Sequence, residues 1–195
     1  MKLKLLKSIL LLLALVVALS GCIAPRTIVD PAYGHTKYED ISRPSAPEKL
    51  FVSAEFQRNG EHYPKADAAL KDIVVRVLRA SGVISPASDA LSGDIEVVVN
   101  NFGDRGTAAA KGFATGLTFG LVGSTVTDYY EMKVVIHKNG KLITKDGIKH
   151  ALHTKIGMGS TPEGAEVLPI QTAFDRAVEQ MLLNAIREWQ QSGEL

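Results

Sequence analysis

The sequence has 195 residues, 22 Lys plus Arg against 21 Asp plus Glu, a formal net charge of +1 and a single cysteine. That length suits one domain, or one with an appendage. The balanced charge argues against a nucleic-acid partner, which calls for a basic surplus, and one cysteine excludes an intrachain disulfide or a cysteine-rich zinc site.

The first residues carry an address. Lys2, Lys4 and Lys7 precede an apolar run over 9–19. The run is shorter than the roughly 20 apolar residues a bilayer span needs, so residues 1–21 read as a secretory signal peptide. The segment ends in Leu19-Ser20-Gly21-Cys22, which resembles the bacterial lipobox. The resemblance implies cleavage between Gly21 and Cys22 and lipidation of Cys22. Each buried methylene adds about 0.8 kcal/mol of membrane affinity, so several acyl chains hold far better than one. Ile23 follows Cys22 where lipoproteins retained at the inner membrane tend to have Asp, which implies an outer-membrane location. Without residues 1–21, 19 basic groups face 21 acidic ones, a net charge of −2.

Residues 22–48 read as a lipidated flexible tether, interrupted by Pro25, Pro31, Pro44 and Pro47, with Tyr33 and Tyr38 as exposed tether residues. Residues 49–193 read as a single domain. Its first predicted strand is 50–56, where Leu50, Val52, Ala54 and Phe56 alternate with Phe51, Ser53 and Glu55. Pro64 opens a helix carrying Ala66, Ala69, Leu70, Ile73, Val74, Val77 and Leu78, and Gly82 ends it. A second strand follows over 94–100. Residues 129–137 and 141–155 form a hairpin around Asn139-Gly140, a type I′ turn signal. Pairing across that turn sets Ile136 against Ile143 and Lys133 against Asp146. Ile143 and Ile148 are an odd number apart, so Asp146-Gly147 is expected to bulge and return Ile148 and Leu152 to one face. Pro169 starts the last helix, whose stripe runs from Ile170 to Trp189. The expected fold is α+β in two layers, a small, mostly antiparallel sheet packed by two amphipathic helices.

An apolar, Gly-rich insert over 106–126 interrupts this order. Ala108, Gly112, Gly116 and Gly120 are four apart, as in a glycine zipper, and mark possible oligomer or membrane contacts. A buried crossover loop is the competing reading.

Residues that carry chemistry are sparse. His150 and His153, three apart on a strand, point to opposite faces and cannot share a metal, so the histidines read as surface or interface residues. The sequence has no nucleophile elbow, phosphate loop or dinucleotide fingerprint. Ser160 and Glu163 read as a capping box more readily than as an anion site. Asp67, Asp72, Glu131 and Asp175 show no paired arrangement for acid–base work. The expectation is no enzyme, no metal, and no cofactor beyond the lipid on Cys22.

The element order over 50–190, with the lipobox, resembles the small α+β domain of several bacterial envelope lipoproteins, among them the curli-secretion lipoprotein, and of the TolB N-terminal domain. The resemblance is at the level of the fold. It implies a non-enzymatic outer-membrane lipoprotein, a structural or accessory subunit of an envelope assembly, with the membrane and an envelope protein or a second copy as partners. The alternatives are a ring-forming export component whose insert contacts the membrane, and a periplasmic ligand- or glycan-binding module.

Overall fold

The alternating apolar residues of the middle of the chain build a sheet, and the two helical stripes cover one side of it. The computed structural model describes residues 26–33, 36–103, 124–156 and 165–194. The strands are β1 (Arg26–Val29), β2 (Glu48–Arg58), β3 (Glu61–His62), β4 (Ile84–Ala87), β5 (Asp94–Phe102), β6 (Ser124–Lys138), β7 (Lys141–Ile156) and β8 (Val167–Leu168). The helices are α1 (Asp67–Ser81) and α2 (Ile170–Ser192). Strand order is β3-β2-β5-β6-β7-β1-β8, with β4 also on β2. β2 runs parallel to β4 and β5, and the remaining pairs are antiparallel. This is the expected α+β class, one mixed, mostly antiparallel sheet packed against two helices.

Period-2 patterning places Leu50, Val52, Ile95, Val97, Val99, Met132, Val134 and Ile136 on the helix side, where all are buried. They meet Leu70, Ile73, Val74, Val77 and Leu78 of α1 and Val178, Met181, Leu182 and Ile186 of α2 in one core. α1 closes on Gly82, and α2 begins after Pro169.

The hairpin follows its sequence closely. Asn139 and Gly140 have φ of 51° and 71°, as a type I′ turn requires. Ile136 faces Ile143, but Met132 faces Ile148 and Val134 faces Lys145, so Asp146 and Gly147 together oppose Lys133. This is the expected bulge, and Gly147 supplies its positive φ of 66°. The bulge returns Ile148 and Leu152 to the buried face.

Two expected boundaries are corrected. The tether over 22–48 is not one across its described part. Thr27, Ile28 and Val29 are 1–3% exposed in β1, flanked by β7 and β8. Further along, Ile41 is buried in the core, and Ser42 exchanges two hydrogen bonds with the Gln190 side chain. The fold therefore takes in the chain from Arg26, not from 49. The strand escaped notice because it is four residues long and buried on both faces, which erases any alternation. The insert over 106–126 also ends early, because Ser124, Thr125 and Val126 belong to β6.

Candidate functional site

A stripe of α2 and the segment after β1 enclose a cavity of about 450 Å³. Arg176, Glu179, Gln180 and Leu183 share one helix face at i, i+3, i+4 spacing and form one wall; Thr36, Tyr38 and Glu39 face them. The polar groups are tied to one another. Arg176 pairs with Glu179 and, at 3.4 Å, with Glu166, while the Tyr38 hydroxyl donates to Glu179 at 3.1 Å. Burial and the adjacent Glu179 carboxylate push the Tyr38 phenol up to about 12, so it remains a donor at neutral pH. Such a phenol cannot serve as a general base there, and the Glu166 and Glu179 carboxylates are both paired with Arg176. Thr36 donates to Asn184 across the same seam.

Behind this cavity, Asp30 and His153 are buried together, at 3% and 5% exposure. The His153 Nε2–H donates to Asp30 Oδ2 at 3.0 Å, and Nδ1 accepts from the Thr127 hydroxyl at 2.9 Å, a tautomer that satisfies both contacts. Asp30 Oδ1 also accepts the Ala32 amide at 2.8 Å, an Asx turn at Asp30-Pro31. Burial alone would raise the Asp30 carboxyl. The hydrogen bonds from His153 and Ala32 outweigh it and hold the carboxyl below its ordinary value of 3.8. Asp, His and Thr are the residue types of a hydrolytic triad. None of the three lines the cavity, and the group joins β1 to β6 and β7. On the opposite, helix-facing side of β7, His150 Nε2–H donates to Gln180 Oε1 at 2.5 Å, and its Nδ1 accepts the Ala151 amide.

The two histidines thus point to opposite faces as expected, but both are buried rather than on the surface. Asp67 does have a partner, since it accepts from His62 Nε2 at 2.7 Å and from the Phe56 amide. The hydrogen bond to the Asp67 carboxylate raises the His62 imidazole above 6.5. Asp175 pairs with Arg76 at 2.9 Å. Tyr33 and Tyr38, expected as exposed tether residues, are half-buried; Tyr33 packs against Phe102, Tyr129 and Ala151. Gly21, Cys22, Ala108, Gly112, Gly116, Gly120, Ser160 and Glu163 lie outside the described residues. The sequence reading missed Asp30, His153 and the Arg176–Glu179–Tyr38 group. Only Asp30 carried a local signal, the Asp-Pro turn.

A second cavity, also about 450 Å³, lies at the far end of the molecule between residues 90–93 and the β6–β7 turn. Leu91 and Leu142, 92% and 62% exposed, stand at its rim. Among the described residues no helix is long and apolar enough to cross a membrane.

No family model matches the chain, and no curated protein matches it. Solved structures resemble it distantly. One is a Xanthomonas campestris protein of family DUF330, 14% identical with a TM-score of 0.40, covering 80% of this chain and 95% of that one. A neuraminyllactose-binding hemagglutinin homolog from Helicobacter pylori is 10% identical with a TM-score of 0.35, covering 82% and 88%. A PelC dodecamer from Paraburkholderia phytofirmans is 13% identical with a TM-score of 0.31, covering 73% and 90%. Likeness at this level leaves function to be read from the chain's own residues.

Proposed function

We propose that the chain is a lipid-anchored protein of the bacterial cell envelope, at the outer membrane, that works through protein contacts rather than catalysis. In this reading it is an accessory or structural subunit of an envelope assembly. The observation that carries it is the tetrapeptide Leu19-Ser20-Gly21-Cys22, which resembles a lipobox, with Cys22 four residues ahead of the first strand at Arg26. Two further features agree with it. Four ionisable groups of the α2 cavity, Tyr38, Glu166, Arg176 and Glu179, are engaged with one another instead of being poised toward a substrate. The far end presents exposed Leu91 and Leu142, a feature more suited to a macromolecular contact than to a reaction.

The anchor does not supply reach. Four residues span at most about 14 Å when fully extended. The domain therefore stays close to the membrane, and a partner must come to it or sit nearby.

Replacing Cys22 with Ala tests the anchor. The variant is expected in the soluble fraction, while the parent cofractionates with the outer membrane. In-cell crosslinking of the parent is expected to give a discrete larger species. A Cys22→Ala protein that stays membrane-bound overturns the anchor, and an anchored parent that crosslinks to nothing overturns the role as a subunit.

A further inference from the structure

β6 pairs with β7 along the length of its 16 residues, but the other edge of β7 is covered only in part. β1 lies against Leu152 to Lys155, and the Asp30 amide donates to the Ala151 carbonyl. Among the described residues no strand pairs with that outer edge over 141–150. The turn fixes which groups face it. Lys138 and Lys141 flank a two-residue turn and so bond to each other, and bonded pairs then alternate with unbonded ones. Ile143 and Lys145 point their N–H and C=O groups at β6, while Leu142 and Thr144 point theirs outward. The bulge at Asp146-Gly147 inverts the alternation, which turns Ala151 outward to the place where Asp30 meets it.

Leu142 shares a row with His137 and Asp94 on the face away from the helices, and it is 62% exposed. Edges without a partner are ordinarily blunted by charge or by a bulge. Here the bulge lies beyond Lys145, and the stretch before it offers an exposed leucine on an open backbone. The charges of this stretch are lysines. Lys138 pairs with Glu48 and Lys145 with Glu188, whereas Lys141 forms no ion pair among the described residues. These lysines count against a second copy as the occupant. The antiparallel register that uses both open residues would pair Leu142 of one copy with Thr144 of the other, and Lys141 with Lys145, like charges directly opposite.

We propose that the outer edge of β7 over 141–145 takes an extended, acidic segment of another envelope protein as an added strand. Its main chain bonds to Leu142 and Thr144, an apolar side chain packs on Leu142, and a carboxylate meets Lys141. Main-chain pairing of this kind supplies affinity, and the alternate side chains supply specificity. The inference rests on the reading of the chain as a subunit of an envelope assembly and names the surface and the chemistry of its partner.

The test uses the full chain in its own cells, with a photoreactive benzophenone amino acid in place of Leu142 and mass spectrometry of the attached peptide. The expected adduct carries a peptide of another protein rich in Asp and Glu. Thr144→Pro removes only an outward N–H, and Pro is tolerated on an edge strand at such a position. It is expected to lower the adduct severalfold, and so is Lys141→Glu at its exposed site. Native Trp189 emission confirms the fold of each variant, and should Thr144→Pro lose it, Lys141→Glu decides with the backbone untouched. An adduct that persists in Lys141→Glu or in folded Thr144→Pro overturns the edge site, as does a peptide from a second copy of this chain. Amine-reactive crosslinking of the parent separates this failure from that of the broader reading. A larger species with no adduct at 142 refutes the edge and leaves the subunit role standing, whereas no larger species removes both.

Discussion

Asp30→Ala is the substitution that most directly probes how the N-terminal strand is held. Asp30 is 3% exposed and accepts two hydrogen bonds, from His153 Nε2 at 3.0 Å and the Ala32 amide at 2.8 Å. Truncation strands both donors in a buried setting. Each hydrogen bond to a charged group is worth about 1.5–3 kcal/mol, and His153, neutral in the tautomer that satisfies both its contacts, adds no ion-pair contribution. Part of this is recovered if water enters, which places the expected loss near 3 kcal/mol. For a domain of this size that is a fall in Tm of about 6–12 °C. Trp189, the single tryptophan and 1% exposed, provides a fluorescence readout of urea or thermal unfolding. The effect should also depend on pH. The native carboxyl lies below its ordinary value, so its contribution is complete above the unfolded value of about 3.9 and is lost as pH falls through the native one. Parent and variant should therefore converge in acid. Amide exchange over Arg26–Val29 should accelerate in the variant at neutral pH, because β1 loses its clamp. A loss below about 0.5 kcal/mol at neutral pH, with unchanged exchange in β1, would refute the reasoning.

Further expectations concern the core and the cavity. Gly93→Ala combines a φ of 119° with a Cβ 2.4 Å from the His137 carbonyl, so it should destabilise by more than about 2 kcal/mol in urea unfolding. Leu182→Ala, fully buried between the layers, should cost about 2–5 kcal/mol with the m-value unchanged. In an alkaline absorbance titration, one tyrosine should ionise near 12, and Tyr38→Phe should remove that step. If the step survives in Tyr38→Phe, the phenol is not the group held by Glu179.

The parts of the fold legible in the sequence were those with a long enough repeat. α2 carries its apolar stripe over many turns, and β6 and β7 alternate on either side of an Asn-Gly turn. The odd spacing of Ile143 and Ile148 even located the bulge. β1, β4 and β8 are two to four residues long, and β1 is covered on both faces, so no period could form in them. The prolines around β1 argued for a tether; in the folded chain Pro31 instead follows the Asp30 turn that ends the strand. The candidate site was hidden for another reason. Asp30 and His153 are 123 residues apart, and only the pairing of β1 with β7 brings them together. The proposed attachment, by contrast, rests on four consecutive residues and needs no tertiary structure to read.

Intact mass measurement of the mature protein extracted from membranes tests the anchor most directly. The expected species begins at Cys22 and carries acyl chains. A chain that retains residues 1–21, or one that starts elsewhere with Cys22 as a free thiol, would contradict the lipid anchor and with it the placement of the domain at the membrane.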